Sequence, residues 1–452
     1  MNQTMINAMT EGPLARQILR YSAPLVLANI LQTLYNLVDL AIVGQVVGSV
    51  GLSAVSIAGQ ITFMLYALGI GLGSGTQILI SQQVGAGNLD GVRRTTGTSL
   101  TATAVLAAAV TVLGLVFHQP LLRVLNTPAE AWTDATQYMF WCVLGVPFTY
   151  GYGSLCSVLR GMGDSKRPMY IIGLAALTNV ALDLVLVWGL GMRARGAAIA
   201  TSLSQVVSFL FALVYLYRRR ESFGFDFRRE SFRVDRVLLR TVMGLSAPLA
   251  FMAIAINISM MFVNAWVNAY GVVASAVSGV GSKLYSLANI VTQSMQTSEA
   301  TVTGQNIAAR RIDRVKRSML ITTGLCLAYW ALLSALCLLF PRGVFGLFTS
   351  DEGVLAMAPG YMPILVVMFL SFATMSPPLG LINGVGHVRL NFVIALADGV
   401  VARIGLSLLL AVTFGMGLHG YWWGSALAGF VSSIWGYAYY FSGRWQSRQV
   451  LG

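Results

Sequence analysis

Charge is scarce in this chain. Only 10% of its 452 residues are Asp, Glu, Lys or Arg, against about a quarter in an ordinary soluble domain. A conventional water-facing surface is therefore excluded over most of its length. Histidine is scarcer still. His118, His387 and His419 are scattered near loop ends and form no metal set. The four cysteines, Cys142, Cys156, Cys326 and Cys337, show no CxxC spacing and read as small core residues. No phosphate-binding loop occurs. The glycine-rich "GIGLGSGTQ" lies inside an apolar run and lacks the lysine such a loop needs, so nucleotide-driven work has no seat. The N-terminal "MNQTMINAMTEGPLARQILRYSAP" lacks the layout of a signal peptide, and no cleavage is expected before the first helix.

What remains is apolar. Hydrophobic residues make up 56% of the chain, and mean hydropathy is +0.72. Runs long enough to cross ~30 Å of hydrocarbon recur throughout. The pattern predicts an all-α polytopic membrane protein with 12 transmembrane helices, near 18–43, 54–82, 95–117, 135–159, 169–190, 196–217, 240–267, 278–305, 318–340, 358–382, 390–412 and 420–443. Basic residues test that count. They crowd the N-terminus (Arg16, Arg20), the even-to-odd connections and the tail, with the densest cluster, Arg218 to Arg240, between spans six and seven. The opposite side holds only Arg123, Arg193, Arg195, Lys283 and Arg342. The asymmetry predicts a multi-pass protein of the cell membrane with both termini cytoplasmic. It also explains the net charge of +13 without a nucleic-acid partner. Lipid is the expected surrounding, and a monomer the expected state.

The chain repeats itself at an offset of about 223 residues. "YSAPLVLANI" (21–30) answers "LSAPLAFMAI" (245–254), and "LRGMGDSKRP" (159–168) answers "INGVGHVRLN" (382–391). Two six-helix halves follow: an N-lobe over 1–217, a basic cytoplasmic linker over 218–239 and a C-lobe over 240–452. Parallel repeats of this kind are a transporter architecture.

Intramembrane acids are the strongest functional signal, because each costs ~2.5–3.5 kcal/mol at bilayer depth and demands a partner or a wet cavity. Four lie well inside spans: Asp39, Asp183, Glu299 and Asp398. Asn179 and Asp183 are four apart and share a helix face. Asp183 lies ~22 Å into its span from the cytoplasmic side and Thr201 ~9 Å into the next from outside, at 1.5 Å per residue. In a ~30 Å core they meet at one level. Asp39, ~28 Å past Arg20, falls in the same outer layer once tilt is allowed. It ends a stripe of Asn29, Gln32 and Asn36 on one face of the first span. The corresponding stripe of span seven, Asn257, Asn264 and Asn268, has no acid. Two carboxylates in one desolvated pocket can exchange a proton, and the same oxygens can hold Na+; the residue types leave both open. Glu299 is a candidate for a cytoplasmic gate or for local pairing. Asp398 and Arg403 share span eleven and are read as pairing there or across helices, in a structural role. Pro24 and Pro248 sit near the starts of spans one and seven, and Pro24 is a candidate for a bend. Pro377 and Pro378 predict a break in span ten.

The early "SAPLVL", "QQVGAGNLDGVRR" closing span two, "LRGMGDSKRPM" and the halfway repeat together resemble the multidrug and toxic compound extrusion (MATE) transporters along the whole chain. The resemblance implies a V-shaped pair of six-helix lobes. It implies outward antiport of small organic, often cationic, compounds against H+ or Na+ by alternating access, with no cofactor and no catalysis. It carries the DinF-like pattern of ion-coupling residues onto Asp39, Asn179, Asp183 and Thr201, where any Na+ would also bind. It gives Gln32, Tyr35, Asn36, Tyr150, Asn257, Met260, Met261 and Asn264 as substrate-binding candidates. The NorM-like pattern of acids in spans seven and ten is missing here. A lipid-linked oligosaccharide flippase of related architecture is the alternative, but a basic interior would suit it better. An intramembrane hydrolase is a further one, disfavoured by the asymmetric contexts of Asp39 and Asp183.

Overall fold

The structure, a computed structural model, describes residues 5–448. Helix dominates it, and no strand occurs among the described residues. Twelve long helices follow in order: α1 (Leu14–Gly48), α2 (Val50–Gly85), α3 (Leu89–Val124), α4 (Ala129–Gly161), α5 (Lys166–Gly189), α6 (Arg193–Arg218), α7 (Arg236–Asn268), α8 (Val272–Ala308), α9 (Ile312–Leu339), α10 (Glu352–Gly384), α11 (Val388–Thr413) and α12 (Leu418–Phe441). Ten are long and apolar enough to cross a membrane. The other two, α8 and α12, fall short on hydropathy rather than length. The α8 sequence is rich in Ser, Thr, Gln and Asn, and that of α12 in Trp and Tyr.

Glycine with positive φ punctuates the helices. Gly48 (φ 76°) separates α1 from α2. No Cβ-bearing residue adopts that conformation without cost. Side chains start the next elements. Asn88 Oδ1 accepts the Gly91 N–H at 2.8 Å to open α3, and Asp351 Oδ1 accepts the Val354 N–H to open α10. In the "GMGDSKRP" motif, Asp164 Oδ1 accepts the N–H groups of Lys166 and Arg167 at 3.0 and 3.2 Å. The same carboxylate pairs with the Arg167 guanidinium, whose Nε donates to the Tyr215 hydroxyl of α6. The motif thus fixes the entry of α5 and its side toward α6, which is the pair that carries Asn179, Asp183 and Thr201.

The break expected at Pro377 and Pro378 does not occur: α10 runs unbroken from Glu352 to Gly384 through both residues. Pro378 packs on Gly436 of α12, where a Cβ would lie 2.9 Å from the ring. A neighbouring helix supports the backbone that the prolines leave unbonded, as membrane helices allow. Pro24 likewise lies within a continuous α1. All four cysteines are buried free thiols.

The chain forms two compact units. One holds residues 5–8 together with Ala23–Ala250. Its core packs Val43, Ala58, Met139, Val143 and Ala197. The other holds Met9–Ser22 and the chain from Phe251, around Ile364, Leu365, Phe369 and Trp422. Close approaches rest on small residues, as packing in lipid requires. Gly145 of α4 faces Ser202 of α6, and Gly424 of α12 faces the Ser407 backbone of α11.

The basic connection between α6 and α7 is ordered onto α3. Arg93 donates to Asp226 at 2.7 Å, Arg94 pairs with Asp235, and Phe223 and Phe225 are fully buried. The Ser231 hydroxyl, the Arg228 N–H and the Arg93 guanidinium hold the Asp226 carboxyl below the usual range. The Leu238 and Val237 N–H groups and Arg94 do the same for Asp235. A depressed carboxylate stabilises the folded form above its ordinary value near about 4 and loses that effect as pH falls through the folded value. Amides of 226–238 should therefore keep their hydrogen-exchange protection from neutral pH to about 5 and lose it below about 4. Protection unchanged at pH 3, after correction for intrinsic rates, would contradict this.

Candidate functional site

Three helices of the first unit deliver the expected oxygens to one place. Asn179 and Asp183 stand one turn apart on α5, 1% and 0% exposed. Asn179 Nδ2 donates to Thr201 Oγ1 on α6 at 3.4 Å. The Asp39 carboxyl of α1 comes within hydrogen-bonding reach of the Asp183 carboxyl. Immediately after Asp183 the helix widens into a π turn, Leu184–Gly189, a local irregularity common at functional sites.

The hydrogen-bond inventory gives this cluster its character. Asp39 Oδ1, both Asp183 oxygens and Asn179 Oδ1 are buried and receive no donor. An ionised carboxylate only accepts, so Asp39 and Asp183 become hydrogen-bonded to each other only with a proton between them. Four orphaned oxygens in one desolvated spot suit a proton or a small hard cation, and nothing apolar or anionic. A Na+ ion takes oxygen ligands, and these residues fit one. Tyr35 lies beside Gln32, Asp39 and Asp183. Tyr138 and Cys142, one turn apart on α4 and both buried, lie in the electrostatic neighbourhood of Asp39. Sequence reasoning passed over this last pair, because an aromatic and a thiol in an apolar run give no signal.

The remaining candidates separate. Gln32 and Tyr35 are half-buried and Asn36 is exposed, all on the α1 face that ends at Asp39. Tyr150 is buried, its hydroxyl donates to the Leu65 carbonyl, and its ring abuts Gly69. It packs in the core and is not free to meet a substrate. The α7 candidates belong to the second unit. There Asn257, Met261 and Asn264 are exposed and Met260 is half-buried, and Asn257 Nδ2 donates back to the Ala253 carbonyl.

Glu299 is fully enclosed in the second unit. Its Oε1 accepts from Thr303 and Ser318 and its Oε2 from Thr322, each at 2.8 Å. Gly380 of α10 comes so close that a Cβ there would sit 2.8 Å from Glu299 Cβ. One repeat earlier the same register holds Thr76 and Ser99, joined at 3.1 Å. Three hydroxyl donors locally pair the carboxylate and tie α8 to α9. The outcome favours local pairing over a gate, and the three hydroxyls, on α8 and α9, gave no signal in the sequence.

The family model described as MatE matches the chain twice, over residues 24–185 and 248–409. The chain belongs to the MatE family. Among curated proteins, the MatE chain is 29% identical to the probable multidrug resistance protein YoeA of Bacillus subtilis, over 96% of this chain and 95% of that protein. It is 26% identical to an FAD transporter of Shewanella oneidensis, over 79% and 80%. Among solved structures, an outward-facing conformation of a multidrug resistance MATE family transporter of the MOP superfamily superimposes with a TM-score of 0.89 at 24% identity. That match covers 96% of this chain and 97% of the other, and establishes the shared fold. The chain is thus a multi-pass membrane protein of a transporter family, as its repeat implied.

The Glu299 cage generates a direct test. Hydrogen bonds to a carboxylate contribute about 1.5–3 kcal/mol each. Thr322→Val should therefore lower the thermal unfolding midpoint of the detergent-solubilised protein by several degrees. Ser286→Ala, whose hydroxyl bonds only within its own helix, should leave it in place.

Proposed function

We propose that this MatE protein is a secondary multidrug antiporter of the cell membrane. It exports small organic, often cationic, compounds in exchange for H+ or Na+, with both termini cytoplasmic. The observation that carries the reading is the donor-free oxygen cluster of Asp39, Asp183 and Asn179, with Thr201 at its edge. Such a cluster is costly when empty and satisfied by a cation, so cation occupancy and helix packing are linked. The similarity to a protein named for multidrug resistance supports the drug class. Similarity to a protein named an FAD transporter is a reason to read the substrate's charge from this protein's own residues. Gln32, Tyr35 and Asn36 lead from the cluster along α1 and are the substrate-facing candidates of this half.

The energetics suffice without nucleotide. One charge crossing 100 mV is worth ~2.3 kcal/mol. A hundredfold substrate gradient costs ~2.7 kcal/mol, at ~1.4 per tenfold. One coupling ion driven by both potential and concentration covers it. No observation favours a flippase or a hydrolase: among the described residues, the Asp39–Asp183 cluster pairs with no basic side chain and holds no nucleophile with a base.

The test is uptake of a fluorescent organic cation into inverted vesicles under an imposed ΔpH or Na+ gradient. Asp39→Asn and Asp183→Asn should each reduce gradient-driven uptake at least tenfold while the protein stays folded. Full uptake in both variants would overturn the coupling site. Uptake driven by ΔpH in Na+-free buffer identifies H+; uptake that needs a Na+ gradient at constant pH identifies Na+.

A further inference from the structure

The second unit carries buried charge of the opposite kind. The two family matches begin at 24 and 248 and end at 185 and 409, an offset of 224 residues at both ends, while the middle of the repeat, which pairs Thr76 with Glu299, runs at 223. At the offset of the ends Asp39 corresponds to Val263, Asp183 to Ser407 and Asn179 to Arg403. Both carboxylates of the first cluster are absent from the second, and a guanidinium stands in for the amide. The repeat builds the same pair of helices without it, so the fold alone does not require a charge at this depth.

The surroundings of Arg403 are those of an incompletely occupied site. Arg403 is 7% exposed, and its Nε has no hydrogen-bond partner. Its nearest carboxylate is Asp398 of the same helix, with NH2 3.9 Å from Oδ1. That separation is an ion pair without a hydrogen bond, where a closed guanidinium–carboxylate pair measures about 2.7–2.9 Å. Asp398 is held off by Ser432 of α12, which donates to Oδ2 at 2.6 Å, and Asp398 Oδ1 is itself unpartnered. The π turn Ala397–Ala402 lies between the two charges and sets their spacing. Tyr285 of α8 lies against Arg403. Its ring packs edge-on to Phe372 at 4.8 Å, and Phe372 also lines an aromatic cavity with Trp330 and Phe369. A guanidinium has five donors in a planar fork matched to carboxylate and phosphate, and this one leaves its Nε donor unused beside the Tyr285 ring.

We infer that Arg403, with Tyr285 beside it, is a binding subsite for the anionic group, carboxylate or phosphate, of an organic substrate. Asp398 keeps the guanidinium neutralised and oriented when the subsite is empty. The transporter then accepts zwitterionic or anionic organic compounds as well as cations. This rests on the transport reading above, and the test separates the two.

The probes are rhodamine 110, which bears a free carboxylate, and rhodamine 123, its methyl ester, in gradient-driven vesicle uptake. Wild type should carry both. Arg403→Gln should raise KM for rhodamine 110 at least tenfold and leave that for rhodamine 123 within twofold, and Arg403→Lys should fall between. Tyr285→Phe provides a second variant should Arg403→Gln fail to fold, with a selective rise of severalfold for rhodamine 110. An equal loss for both dyes in the folded variants, no loss for either, or no transport of rhodamine 110 by wild type would overturn the inference. If wild type carries neither dye, it is the transport reading that fails.

Discussion

Two carboxylates cannot hydrogen-bond to each other without a third party, and this constraint organises the first unit. Asp39 and Asp183 approach from α1 and α5 with no donor between them. Everything that fixes their approach therefore works against electrostatic repulsion whenever the site is empty of cation. The anchoring is correspondingly firm. Asp164, Arg167 and Tyr215 hold the foot of α5 beside α6, and Asn179 reaches Thr201 across the same pair of helices. The polar residues that look decorative in the loop motif keep a distant unfavourable contact in register.

The two halves share a backbone plan and differ in what is buried in it. The first unit holds acceptors without donors. The second holds a carboxylate saturated by three hydroxyls at Glu299 and a guanidinium left partly free at Arg403. Duplication supplies the helices, and a few substitutions at matched positions then decide which half receives which charge. Asn179 against Arg403, and Thr76 against Glu299, show how little sequence change that takes.

Much of this was legible in the sequence because membrane proteins punish disorder in their patterns. An acid in an apolar run is expensive, so Asp39 and Asp183 announced themselves, and the four-residue spacing to Asn179 fixed a common face. Span length was equally direct, although the Ser- and Thr-rich α8 and the Trp- and Tyr-rich α12 fall below the hydropathy of the ten other long helices. Tertiary detail was not legible. Tyr150 was a substrate-binding candidate by family resemblance, but its hydroxyl is spent on the Leu65 carbonyl and its ring is buried. The double proline in α10 looked like a break, but packing against Gly436 carries the helix through. Tyr138 and Cys142 come near Asp39 only because α4 is packed where it is. In each case the deciding partner lies on another helix, at a sequence distance no local pattern spans.

The ordered connection between α6 and α7 changes what that segment is. The 17 residues between Arg218 and Arg236, as free chain, would reach roughly 60 Å fully extended and would act as a slack tether. Here Asp226 and Asp235 are fastened to Arg93 and Arg94, and a Cβ on Gly97 would collide with the Ser231 carbonyl. The segment is in effect a splint on the end of α3. A fluorophore or epitope placed within it would move as a rigid part of the first unit. It would report that unit's orientation instead of averaging over a loop's wandering.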